Sequence, residues 1–586
     1  MTATTTGRVA AFGRVAAHLD RVRGPLAALA CCAGLALLMG ALPWLSGNDP
    51  ARTVLRARSA EGEASPEALR SVRDELSLPA DPFSGALQWV TGVLQGDLGV
   101  SWVTGAPVAS SLGSAVGVSA SLALFAALTA LVTGLLVTFP ALVRAVRTGR
   151  AGARGADITG AVLASVPDFL LASLFLAVVA IRWELAPTSG WAGPEHAVLP
   201  SLALGLPAGG LLSRVLGHAL TSALAESWVR TWRAAGFGAV TMALALLRRT
   251  VAVALPQLLL LFAGLLGTSV VVETVFSVPG LGHTALDAVL AQDLPKAQGA
   301  VAMLVLLGMA VGAAGIALHR ALMGPALAAS GMAPAAAVAP TGRRLPLAIG
   351  GALLAAAAVG LLRDPDAVAL TARLQAPSVT HPLGTDALGR DQLARLGHGA
   401  FLSVGTGVVV SLAALVLGAV LGLWGKRARA GAADVLNALP PVLLGVLTAA
   451  VFTPDMFGAA VAVMAAAWIP LAVHARTLAA ETRASGFHLA AVAGGAGKLW
   501  ILRRHLLPSV LPAVARHALT RIPHNTLALA GLSFLGLGAP HDSPEWGAML
   551  AESVRYVERA PWAVAGPALG LILTGVVASL VRTERR

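Results

Sequence analysis

The chain has 586 residues, of which 56% are hydrophobic and only 12% charged, with a mean hydropathy of +0.77. So little charge cannot clothe a soluble protein of this size. Apolar runs of about 18 to 25 residues, long enough for the ~30 Å hydrocarbon core, predict an all-α polytopic membrane protein and exclude a β-barrel of short alternating strands. The net charge of +13 is spread between the apolar runs, as in basic cytoplasmic loops, and argues against a nucleic-acid partner.

The tail 1–24 carries Arg8, Arg14, Arg21 and Arg23 ahead of an apolar run at 25–45. That run is long and lacks a convincing small-residue cleavage site, so it predicts a retained first span. The only cysteines, Cys31 and Cys32, sit inside it with no partners for a disulfide framework or a metal site. Segment 46–115 is polar and acidic and predicts an external subdomain present only in the first half. Within it, Ser65-Pro66-Glu67 starts a short amphipathic helix with Leu69, Val72 and Leu76 on one face. Spans at 116–143, 158–181, 197–218, 251–275 and 300–322 complete a first half, 25–322. The stretch 323–345, rich in Ala, Pro and Gly, reads as a flexible cytoplasmic linker between two fused polypeptides. A second half, 346–586, has spans at 346–362, 401–424, 435–453, 457–475, 510–530 and 563–582. Prolines such as Pro207 and Pro441 are tolerated in membrane helices where neighbours satisfy the backbone.

Orientation follows from the loop arginines. Arg144, Arg147, Arg150 and Arg154, then Lys426, Arg427 and Arg429, then Arg582, Arg585 and Arg586, all fall on one side of this arrangement. That side is expected to be cytoplasmic and to hold both termini.

A glycine-centred basic segment occurs once per half, at about 226–250 and 486–508. Gly236 and Gly495 permit a tight reversal between short helices. Arg230, Arg233, Arg248 and Arg249, and Arg503 and Arg504 in the second copy, suit acidic groups of a soluble partner or lipid phosphates. Trp232 and Trp500 suit an interface. One such loop is ordinary at a membrane surface; two at corresponding places are matched handles for a soluble partner.

No engine is present in the chain. Gly494 to Leu499 falls short of a phosphate-binding loop, because Val492 replaces the required first glycine and Leu499 the Ser or Thr. His381, His398, His474, His488, His505, His517 and His524 lack ligand spacing, so neither a metal nor another cofactor is expected. No nucleophile, base and orienting acid stand at motif spacing. Glu273 and Arg521 are candidate residues of a translocation path, since charges within spans are functional by default. Arg516 reads as snorkelling to headgroups.

The stretches His381 to Val404 (HPLGTDALGRDQLARLGHGAFLSV), Arg503 to Pro512 (RRHLLPSVLP) and Gly531 to Leu550 (GLSFLGLGAPHDSPEWGAML) resemble the second permease subunit of bacterial peptide-type ABC importers, the dipeptide, oligopeptide and nickel group. Trp89 to Val108, Trp228 to Gly236 and Val270 to Gly299 resemble the partner subunit. The resemblance covers nearly the whole chain. It implies a fusion of both subunits with type I importer-like halves in a bacterial plasma membrane, two separate ABC ATPases that hold ATP and magnesium, and an extracytoplasmic binding protein. It places the ATPase-coupling glycines at Gly236 and Gly495, the alanine pair at Ala490 and Ala491, and further coupling residues at Arg230, Arg233, Arg503, Arg504, His505 and Pro508. Leu489 departs from the family's glutamate. The first copy departs further at Arg230 and Thr231, its spacing to the closing proline is about two residues longer, and Ala239 to Leu247 is unusually apolar. The rival reading is a secondary transporter with two six-helix halves. It needs ion-coupling carboxylates within the spans, which are almost absent. Cargo is not readable from the sequence.

Overall fold

The computed structural model describes residues 65–75, 81–150, 154–329, 344–424, 441–451 and 455–580, with isolated positions before residue 65. Most of the expected span at 25–45, including its two cysteines, most of the linker, and the loop 425–440 lie outside the described residues.

Helix α1, Pro66–Glu75, starts where expected, with the Ser65 hydroxyl accepting from the Ala68 amide at 3.2 Å. Helix α2, Pro82–Leu94, is capped by Asp81, which accepts from the Phe83 and Ser84 amides at 2.9 Å each. Bonds from the Ser84 amide and hydroxyl hold the Asp81 carboxyl below its usual range. The first half continues with α3, Val108–Thr148, whose 41 residues make a helix of about 60 Å. Helices α4, Arg154–Ser165, and α5, Asp168–Leu174, follow, the latter running into a π-helical turn at Phe175–Arg182. The 158–181 stretch, expected as one span, is therefore broken: the pair bends by 76°. Pro167 stands in the break, where it has no amide to donate and disfavours helix at the residue before it. Helix α6, Pro194–Leu224, runs unbroken through Pro200 and Pro207. Then come α7, Ser227–Ala234, α8, Ala239–Val275, α9, Leu281–Leu290, and α10, Leu294–Ala329.

The second half has α11, Arg344–Leu361, α12, Gln392–Trp424, α13, Pro441–Val451, α14, Met456–Ala484, and α15, Gly486–Ala493. Helix α16, Lys498–Ile501, passes through a π turn into α17, Leu507–Phe534. The short α18, Trp546–Ser553, and α19, Pro561–Leu580, close the half. Among the described residues seven helices are long and apolar enough to cross a membrane, or eight if the bent pair is one span. Helix α17 is also long but carries Arg516, His517, Arg521 and His524. The short helices α9 and α18 were not expected.

Small residues let the long helices approach. A Cβ on Gly205 or Gly209 of α6 would stand 2.5 Å from the Cβ of Thr129 or Thr133 on α3. In the second half the glycines come from the other partner: Gly418 and Gly422 of α12 face Leu471 and Ala475 of α14. Close packing replaces a hydrophobic drive that lipid does not supply. The opposite face of α3 exposes Leu124, Leu128, Val132 and Leu136, four residues apart, to lipid. The halves meet where a Cβ on Gly575 of α19 would lie 2.8 Å from Ser165 of α4, and where Phe169 packs on Phe534 at 4.9 Å between ring centroids.

Candidate functional site

The glycine segments fold alike. Gly236 separates α7 from α8 at φ 77°, and Gly495 separates α15 from α16 at φ 80°. A Cβ at either would meet open space, so the left-handed backbone alone requires glycine. Ala239 to Leu247, which looked like an odd apolar part of the first loop, is the opening of α8.

Their side chains differ in commitment. In the first segment Glu226 accepts from Trp228 Nε1 at 2.7 Å and from Arg249 Nε at 2.8 Å. Arg233 donates to the Ala145 and Val146 carbonyls at 2.9 and 3.1 Å, closing the C-terminus of α3. Trp232 stacks on Phe237 at 4.7 Å. Arg230 and Arg248 are exposed. Just before the second segment, in the last turn of α14, Arg483 donates to Leu423 O at 2.6 Å, so it closes α12 as Arg233 closes α3, from a different place in the sequence. His505 packs between Phe487 and Trp500 at 5.2 and 5.1 Å. Arg503, Arg504, Ala490 and Pro508 are exposed, and Ala491 is half-buried. Phe487, Leu489, Val492, Leu499 and Trp500 are each more than half exposed, and Val240 and Leu244 are the corresponding apolar residues beyond Gly236.

At the far end of α8 the path candidate Glu273 is fully buried and fully engaged. It accepts from Ser119 Oγ at 2.7 Å, Ser269 Oγ at 2.9 Å, and the Gly282 and His283 amides at 2.8 and 3.0 Å. Ser119 in turn accepts from the Leu281 amide at 2.8 Å. The carboxylate and hydroxyl thus cap the first turn of α9. The second half builds the same cap from Glu545 and Ser403. Ser403 donates to Glu545 at 2.7 Å and accepts from the Trp546 amide at 2.9 Å, and Glu545 accepts from the Ala548 amide at 2.9 Å. Ser119 and Ser403 hold the same register, eleven residues beyond Val108 and Gln392 where α3 and α12 begin.

Each short helix is also tied to the loop that precedes its half's long helix. Asp293, after α9, accepts from Ser101 Oγ and from the Trp102 amide. Glu552, on α18, binds Arg390 and Arg395, and both arginines bind Asp386 at 2.6 Å. Isolated bridges Val100–Pro107 and Thr385–Asp391 close the two loops. The second half therefore has a folded segment, 362–391, ahead of α12. Arg521, the other path candidate, lies on α17, half-buried, with Nε closed off and unpaired. Among the described residues no cluster of three His, Cys, Asp or Glu could hold a metal ion.

A family model, the binding-protein-dependent transport system inner membrane component, matches residues 130–323 and again residues 408–583. The chain belongs to this family. Among its curated relatives, the metal-staphylopine import system permease of Staphylococcus aureus is 26% identical over 266 residues, spanning 45% of this chain and 84% of that protein. The probable D,D-dipeptide transport system permease of Escherichia coli is 37% identical over 221 residues, 36% of this chain and 74% of that protein. The nickel transport system permease of Escherichia coli is 33% identical over 225 residues, 37% of this chain and 81% of that protein. Each match takes up most of the relative but less than half of this chain, and the family model fits twice. This inner membrane component is thus two permeases of a peptide-type importer in one polypeptide.

The twofold match explains the paired devices. Closing contacts, caps and tight helix crossings recur in both halves, but apart from Ser119 and Ser403 the residues that make them sit at different sequence positions. Sequence reasoning therefore missed Glu545 as the counterpart of Glu273, and Arg483 as that of Arg233.

Proposed function

We propose that this chain forms the whole membrane passage of an ATP-driven importer, taking peptides or similarly small solutes from an extracytoplasmic binding protein to the cytoplasm. Two ABC ATPases dock at the glycine segments and supply ATP hydrolysis, with ATP and magnesium held by those partners. The single observation that carries this reading is the paired helix–glycine–helix segment with an exposed apolar face. Burying such a face needs a partner surface.

The mechanism follows from continuity. Helix α8 runs 37 residues, about 55 Å, from Gly238 to the carboxylate that caps α9. A displacement at the Gly236 turn travels along one rigid rod to the short helix at the opposite mouth. In the second half α17 reaches α18 by direct packing: a Cβ on Gly547 would stand 2.1 Å from Ala530 O. Rocking of both halves then alternates access. The two docking contacts are unequal, since Arg233 and Arg249 are committed within the chain while Arg503 and Arg504 are free to meet acids of a partner.

Purification of the chain with its candidate ATPases tests the proposal. Binding protein with cargo should stimulate ATP hydrolysis. ATPase-independent, proton-driven flux would contradict it.

A further inference from the structure

The spans of the second half hold basic side chains that the coupling account does not use. His474 of α14 meets His517 of α17 edge-on, with ring centroids 5.2 Å apart. Arg521 follows His517 by one turn and precedes His524 by one turn, so the three share a side of α17. Arg521 lies about 20 Å along the helix from Leu507, near the middle of the span.

At its lower end this side packs on α14 of its own half, and at its upper end it reaches the first half. Residues 517, 524 and 531 repeat at seven and form one stripe. At its upper end a Cβ on Gly531 would lie 3.8 Å from the Phe169 ring, and Phe534 packs on the same ring. Two turns below that closure His524 is exposed. The lipid side of α17 is marked instead by Leu519, 59% exposed and roughly 200° around the helix from Arg521.

Arg521 has no ion pair or hydrogen bond among the described residues, and its Nε is sealed from solvent without a partner. The side chain as a whole is half-buried. A charge kept in a span without a resident counter-ion needs a transient one. A planar guanidinium fork takes a carboxylate through two parallel bonds. Flanking imidazoles add further donors or acceptors, and the low dielectric strengthens each contact.

We propose that the His517–Arg521–His524 stripe is a cargo subsite in the passage between the halves and takes the free carboxylate of the transported solute. The inference rests on the importer reading above for its cargo, but its test needs no ATPase. A tripeptide bearing a benzophenone side chain is photo-crosslinked to the purified full chain in phosphatidylcholine nanodiscs, as the C-terminal acid and as the C-terminal amide. The acid should label the 507–534 segment at least about tenfold more than the amide, the ratio expected for one charge-assisted pair. Arg521→Gln should lower the acid to the amide level, Arg521→Lys should keep part of the preference, and Leu519→Gln should leave it intact. If Arg521→Gln does not fold, the double exchange His517→Leu and His524→Leu must itself lower the preference. Equal labelling by acid and amide overturns the proposal, as does a preference that survives Arg521→Gln. Loss of the preference on adding phosphatidylglycerol also overturns it, by assigning the stripe to a lipid headgroup. A chain that fails to stimulate ATPases yet keeps the acid preference would refute the coupling and leave this subsite standing.

Discussion

Removing the Glu273 carboxylate should loosen α9 selectively. In Glu273→Ala the Gly282 and His283 amides and the Ser119 hydroxyl lose their buried acceptor. Ser269 keeps an alternative in Leu266 O at 3.0 Å and is not orphaned. Three orphaned donors at about 1 kcal/mol or more each give about 3 kcal/mol, roughly a hundredfold in local opening. Glu545→Ala orphans only the Ala548 amide and the Ser403 hydroxyl, so about 2 kcal/mol and roughly thirtyfold. Hydrogen exchange of the purified chain in nanodiscs reads both directly: amides of 281–290 should speed up in the first variant and those of 546–553 in the second. Glu273→Gln should fall between wild type and Ala, because its amide nitrogen would face other donors. Unchanged exchange at 281–283 in Glu273→Ala would refute the capping argument and remove the strut through which α8 is held to move α9.

Four further outcomes follow from the geometry. Gly495→Ala at φ 80° should cost about 1–2 kcal/mol of local strain with no clash, lowering ATPase stimulation while thermal unfolding stays close to wild type. Gly389→Ala adds a Cβ 1.8 Å from Ala369 O at φ 77°, and size-exclusion profiles should show failure to fold. Arg395→Met breaks a buried cluster from one side and should cost about 3–5 kcal/mol by thermal unfolding. Arg363→Ala, at a side chain 34% exposed, should cost about 1 kcal/mol or less.

Much of the fold was legible because lipid imposes long apolar helices, and Gly236 and Gly495 announced their turns through the polar segments around them. Span ends were less legible. Val108 begins α3 eight residues before its apolar stretch because the helix continues outside the hydrocarbon, where hydropathy gives no signal. The break at Pro167 hid inside an apolar run whose composition suits a straight helix equally well. Helices α9 and α18 are too short for a hydropathy window; the signal that could have found them is a serine in the same register of α3 and α12. Glu273 stood out as a charge within a span, but only its four donors give it a capping task. Nothing in the sequence around Arg390 and Arg395 shows that Asp386 and Glu552 close around them, because the two carboxylates lie on separate segments.

The most direct test of the account is ATP hydrolysis by the reconstituted complex of this chain, its ATPases and its binding protein, with Gly495→Ala as the paired variant. The account predicts stimulation by loaded binding protein that falls sharply in the variant while basal hydrolysis by the ATPases persists. Equal stimulation of wild type and variant, or solute uptake that continues without the ATPases, would contradict it.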